Sequence, residues 1–170
     1  MADQAGIVTF QGNPLTLSGR VAAVGEKAPG FEALANDLSA VTLADLKGPI
    51  LVLASVPSLD TDVCSLETKR FNDEAAKLSG AKLITISMDL PFAQKRWTDE
   101  HEADRITTLS DHKLASFGTA YGVLIEELRL LARAVFVVDG AGVVQLAHVV
   151  PEMTDEPDYD LVLNKVRELG

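Results

Sequence analysis

Hydrophobic positions along the chain fall into short runs separated by glycine, proline and aspartate breaks. Residues 50–55 are a continuous apolar run, the pattern of a strand covered on both faces. Residues 82–87 read as the next strand. Between them the period changes: Phe71, Ala75 and Leu78 fall on one helical face, with Cys64 a heptad before Phe71, which predicts a helix over 62–78. A second helix is expected over 91–102, with Pro91 at its start, where a missing N–H costs nothing. Residues 7–10 and 15–18 flank Gln11-Gly12-Asn13-Pro14 and read as a hairpin. Residues 24–30 read as a loop, 41–43 as a short strand, and 44–47 as a helical turn stopped by Gly48-Pro49. Further on, 114–121 read as a short helix, and 134–139 and 143–150 as a hairpin around Gly140-Ala141-Gly142. Residues 158–169 close the chain as a helix, with Tyr159, Val162, Val166 and Leu169 on one face.

The predicted order is hairpin, βαβα, hairpin, helix. A parallel pair joined by a crossover helix, followed by an antiparallel hairpin, implies an α/β fold with a mixed central sheet and helices on both faces. That is the outline of a thioredoxin-like fold. With 170 residues, 47% of them hydrophobic, the chain suits one globular domain over 1–170.

Charge narrows the function. The net charge of −10 opposes binding to nucleic acid or to an anionic membrane surface. The apolar runs are too short to span a bilayer. The N-terminal residues, Met1 to Gly6, show no basic region followed by a long apolar one, so no secretory signal is expected. The single cysteine excludes an internal disulfide and a multi-cysteine zinc site. A reducing, cytoplasmic setting is the simplest expectation, with no cofactor and no metal.

The segment from Pro57 to Cys64 carries the chemistry. It lies between a buried strand and a helix start, and ligand sites in α/β sheets form at the carboxyl ends of strands. In the first turn of the helix, the unpaired N–H groups and positive helix end favour a thiolate at Cys64, and the thiolate is the nucleophilic form. Thr61 is placed to cap the helix, and its hydroxyl could reach the sulfur. Pro57 would cover one side of the pocket. Asp60 and Asp62 oppose a further anion, so a cation must compensate. Lys69, Arg70 and Arg133 are candidates that sequence alone does not rank. A lone cysteine is ordinarily a small buried hydrophobe, and position alone leaves that reading level with a catalytic one.

Pro57, Thr61 and Cys64 match the P-x-x-x-T-x-x-C signature of peroxiredoxins. More of the chain resembles one branch, the bacterial thiol peroxidases. The matching segments are Phe10-Gln11-Gly12-Asn13-Pro14, Asp89-Leu90-Pro91-Phe92-Ala93-Gln94, Leu131-Ala132-Arg133-Ala134-Val135 and Glu156-Pro157-Asp158-Tyr159. The resemblance implies that Cys64 attacks hydrogen peroxide or an organic hydroperoxide and becomes a sulfenic acid. It implies that Thr61 hydrogen-bonds sulfur and peroxide, that Arg133 stabilises the thiolate and the leaving oxygen, and that the chain is a homodimer. One departure stands out. The branch carries a resolving cysteine where this chain has Thr98, so either an outside thiol (thioredoxin or a small thiol) resolves the sulfenic acid, or position 98 is substituted. Two other readings compete: a cysteine hydrolase using His148 or His112 as base, and a non-catalytic thioredoxin-fold interaction protein with an inert Cys64.

Overall fold

The computed structural model describes residues 3–46 and 48–170. Its frame is a seven-stranded sheet in the order β11-β10-β5-β6-β7-β3-β4. The centre is parallel: β5 (Ile50–Ser55), β6 (Ala81–Ser87) and β7 (Thr107–Ser110). Strand β10 (Ala134–Val138) runs antiparallel to β5, and β11 (Val144–Val149) antiparallel to β10. On the far edge β3 (Glu32–Leu34) and β4 (Ala40–Thr42) form an antiparallel pair. A separate four-stranded sheet joins the N-terminal hairpin, β1 (Gln4–Phe10) and β2 (Asn13–Leu17), to β8 (Leu124–Ile125) and β9 (Leu130–Leu131).

Alternation along the central strands divides the core. Val52, Ala54, Val135 and Val137 face a cluster with Phe71, Trp97, Val162 and Val166. Those residues come from α2 (Asp62–Ala75), α3 (Pro91–Glu100) and α5 (Tyr159–Leu169). Leu51, Leu53, Phe136 and Val138 face the other way, onto Phe31, Phe117, Tyr121 and the hairpin residues Val8 and Leu17. Helices α1 (Leu43–Leu46) and α4 (Ser116–Tyr121) lie in the order between these strands. The continuous apolar runs of β5 and β10 are thus strands covered on both sides, as the pattern requires.

Several boundaries differ from the sequence expectation. The α2 helix ends at Ala75 rather than 78; Ala76 still has helical angles, but Lys77 and Leu78 donate only three residues back, to the Glu74 and Ala75 carbonyls. The α3 helix stops at Glu100, and α4 starts at Ser116 because Ala115 is left-handed. The turn expected at 44–47 is α1, shifted one residue earlier; its last expected residue, Lys47, lies outside the described residues, as do Met1 and Ala2 of the leader reading. The hairpin turn is tighter than the quartet: Gln11 and Gly12 alone form it, both with positive φ, as a two-residue hairpin turn requires. Four strands escape the apolar pattern. Of these, β7 is the most consequential. It reads Thr-Thr-Leu-Ser, and its buried hydroxyls are satisfied by Asn36 and by the Asp89 carbonyl rather than by apolar neighbours.

Gly122 ends α4 with φ of 71°, and a Cβ there would sit 2.2 Å from the Arg20 carbonyl oxygen. The next residue, Val123, accepts the Ala132 N–H at 2.8 Å, directly before Arg133. Gly122→Ala is therefore expected to destabilise the protein by about 2 kcal/mol or more, through both strain and contact. Urea unfolding checks this; an unchanged midpoint would show that the 20–22 segment gives way freely.

Candidate active site

Strand β5 delivers the thiol. Val56 N–H still donates to the Ile86 carbonyl at 3.0 Å, and then Pro57, with no N–H to offer, ends the ladder. The loop is pinned by Asp89, whose carboxylate accepts from Ser58 Oγ (2.7 Å), Leu59 N–H (2.8 Å) and Ser87 Oγ (2.7 Å). Thr61 is the N-cap of α2: its Oγ1 accepts the Cys64 N–H at 3.3 Å and donates to the Ser58 carbonyl at 3.0 Å. The hydroxyl proton is thus given to backbone here, not to the sulfur.

Register delivers the cation. Ala134 pairs with Ser55 across the antiparallel β5–β10 ladder, so the start of β10 lies beside the carboxyl end of β5. Arg133, one residue earlier, is 1% exposed, and its Nη2 donates to Cys64 Sγ at 3.2 Å. Its Nη1 donates to Glu67 Oε2 at 2.6 Å. Nε and Nη2 also donate to the Met153 carbonyl, at 3.3 and 2.9 Å. Burial alone would lower the Arg133 pKa, but Glu67 and Cys64 outweigh it and hold the group above its ordinary value. The other two candidate cations are elsewhere. Arg70 pairs with Glu74 and lies 4.7 Å over the Tyr159 ring, and Lys69 is exposed.

Pro57 and Cys64 are buried, while Thr61, Asp60 and Asp62 are exposed. Water therefore screens the two aspartates and not the Arg133–Cys64 contact. Cys64 has no exposed surface and belongs to the apolar cluster beneath α2. Burial by itself would fit an inert thiol; an inert thiol does not require a desolvated guanidinium at hydrogen-bond distance. None of the three histidines hydrogen-bonds Cys64 among the described residues. The His148 Nε2 instead accepts the Asp158 N–H at 3.1 Å, and the His101 Nδ1 lies 2.8 Å from the Trp97 carbonyl. The hydrolase reading lacks its base.

Glu67 was not anticipated from the motif. It lies one turn beyond Cys64, at a core-facing position of the same helix face, and a charged residue there is the signal that could have found it. Its Oε1 has no partner, and burial pushes its pKa up to about 7 even though Arg133 pulls it down; Glu156 adds to the rise. One buried cation thus faces two acidic groups. Thr98, the position of the absent second cysteine, lies partly exposed on α3, its hydroxyl bonded to the Lys95 carbonyl at 2.9 Å. Its neighbour Trp97 reaches back to α2 through Ser65 Oγ at 3.3 Å.

Residues 24–147 match the AhpC/TSA family. The chain is 52% identical to the thiol peroxidase of Halalkalibacterium halodurans over 94% of its own length and 96% of that protein's. It is 49% identical to the thiol peroxidase of Bacillus subtilis over 95% and 97%. The crystal structure of a peroxiredoxin-like protein from Aquifex aeolicus superposes with a TM-score of 0.91 at 43% identity, covering 98% of both chains.

The Glu67 carboxyl sets a sign for pH dependence. Its folded value near 7 exceeds the ordinary 4.5, so the folded state holds this proton more tightly than the unfolded chain. Its contribution to stability therefore falls as pH rises between those values and levels off above. Urea midpoints of wild type and Glu67→Gln at pH 5 and 7.5 should show the wild type losing stability relative to the variant. Parallel behaviour would mean that Glu67 is already ionised at pH 5.

Proposed function

Since this chain belongs to the AhpC/TSA family and is a thiol-dependent peroxidase, we propose that Cys64 is its peroxidatic cysteine, served by Arg133, Thr61 and Pro57. The observation that carries this assignment is the 3.2 Å contact between Arg133 Nη2 and Cys64 Sγ, both groups buried. The thiolate attacks one peroxide oxygen; the S–O bond forms as the O–O bond breaks. The leaving oxygen departs as hydroxide or alkoxide and takes a proton to give water or an alcohol. Arg133 faces the place where negative charge starts and the place where it goes, which is the logic of an oxyanion hole. Thr61, turned from Ser58 toward the incoming peroxide, supplies a second donor, and Pro57 excludes water. Because Cys64 is fully covered, the first turn of α2 must shift to admit substrate.

The supporting network also fixes what the mutational test must control. Arg133→Met leaves Glu67 without its cation, and Glu67 answers by taking up a proton, as its raised pKa allows. The variant is expected to reduce peroxide about 10²–10³-fold more slowly, the scale for losing one preorganised charge-stabilising group. Stopped-flow kinetics with urea unfolding on the same sample checks this. Unchanged kinetics in a folded variant would assign Arg133 to structure.

Recycling follows from the single thiol. With no second cysteine, the sulfenic acid is resolved by an outside thiol: its sulfur forms a mixed disulfide with Cys64 as water leaves, and a second thiol frees the enzyme. A small thiol should sustain turnover better than thioredoxin, which is offered no protein disulfide. Excess peroxide without thiol should carry Cys64 on to sulfinic and sulfonic acids. Intact mass after a peroxide titration checks this; a product that stays at one added oxygen would contradict it. The reading further places one domain of 170 residues in the cytoplasm, as a homodimer using neutral hydroperoxides and binding neither nucleic acid nor membrane. No helix among the described residues is long and apolar enough to cross a membrane. Sedimentation at micromolar concentration with only an 18.2 kDa species would overturn the dimer.

A further inference from the structure

Two of the four hydrogen bonds that hold the Arg133 guanidinium go to a single backbone atom, the Met153 carbonyl. Met153 lies in the connection after β11 (Val144–Val149), outside every strand and helix of the main sheet. Its placement comes from the other end of the chain. Thr9 N–H donates to the Pro151 carbonyl at 2.7 Å, and Met153 N–H donates to the Thr9 carbonyl at 2.9 Å, so Thr9 and Glu152 form a short parallel bridge.

The Glu152 side chain doubles this link. Its Oε1 accepts from the Gly12 N–H (2.9 Å) and Thr9 Oγ1 (3.0 Å), both in the N-terminal hairpin. Its Oε2 accepts from the Thr154 N–H (2.9 Å) and Oγ1 (2.8 Å), in the loop itself. Those donors, Thr154 N–H and Gly12 N–H first, hold the carboxyl pKa down at about 2, so it is ionised throughout the working range. The hairpin is a firm anchor: Val8 and Leu17 are fully buried. Gln11 and Gly12 close its turn with positive φ.

We propose that Glu152 is a positioning residue for peroxide reduction, clamping the 151–154 loop to the N-terminal hairpin so that the Met153 carbonyl holds Arg133 against Cys64. The proposal rests on the reading of Arg133 as the group that serves the thiol. Its physical basis is that Arg133 is a long side chain whose other two contacts, Glu67 and Cys64, both lie on α2. The Met153 carbonyl is the one fixed point on the opposite side. If it moves, the guanidinium can follow α2 or swing from it, and a displacement of about 1 Å is enough to cost up to about 10²-fold in rate.

The test is a double-mutant cycle on the second-order rate constant for hydrogen peroxide, with Glu152→Ala, Arg133→Met and the pair, each checked for fold by thermal unfolding. Glu152→Ala is expected to slow the wild-type reaction about tenfold or more and to shift the pH profile of Cys64 alkylation by iodoacetamide to higher pH. It is expected to do neither in the Arg133→Met background, where nothing remains to be positioned. Equal slowing in both backgrounds, or none in the wild type, would overturn the clamp. An unaffected Arg133→Met would instead overturn the role of Arg133, and the clamp with it. Should Glu152→Ala not fold, Thr9→Val removes one of the four donors and leaves the backbone bridge. It is expected to slow the reaction by about fivefold, the scale of one hydrogen bond, and an unchanged rate there would also overturn the clamp.

Discussion

A guanidinium taken out of water must find acceptors for its N–H groups, and Arg133, at 1% exposure, finds them in Glu67, the Met153 carbonyl and the sulfur of Cys64. Leaving such a cation unpaired would cost several kcal/mol. The neighbourhood is therefore built around it from three separate parts of the chain. Helix α2 supplies the sulfur and the carboxylate one turn apart. The loop after β11 supplies the carbonyl. The β5–β10 register, Ser55 opposite Ala134, sets the backbone from which the side chain departs. With Cys64 drawing on the same cation, a thiolate has a counter-ion where solvent cannot provide one.

The arrangement also explains the spread of polar residues through an apolar region. Asp89, Ser58 and Ser87 hold the loop that places Thr61. Gln94, fully buried, ties α3 to Ser87 Oγ at 3.0 Å and to the Leu109 carbonyl at 2.9 Å. The Asp89 contacts to Ser58 and Leu59, just before the helix, limit how the first turn of α2 can move. The Trp97–Ser65 contact does the same from the α3 side.

Much of this was legible in the sequence because it rests on local signals. The uninterrupted apolar runs of β5 and β10 marked the centre of the sheet. Thr61 was readable as a cap, and it accepts the helix N–H expected of it, at 3.3 Å. The turn at 11–12 was readable from Gly12 and its neighbours. What was not legible depends on contacts distant in sequence. Strand β7 is polar and owes its place to parallel pairing with β6. The choice of Arg133 over Lys69 and Arg70 is made by an antiparallel register 77 residues removed, visible in the Ser55 Oγ bond to the Ala132 carbonyl. The Met153 carbonyl is backbone and has no sequence signature. Glu67 did carry one, as a charge on the helix face that also holds Phe71, but the pattern alone gave it no partner.

The central claim is that Cys64 is a reactive nucleophile because Arg133 faces it, despite complete burial. Trapping tests this most directly: the reduced protein is given one equivalent of hydrogen peroxide in the presence of dimedone, which condenses with sulfenic acids, and the intact mass is read. The account predicts a single dimedone adduct at Cys64 in wild type and little adduct over the same interval in Arg133→Met. A wild-type protein that keeps its free thiol and gains no adduct would contradict it.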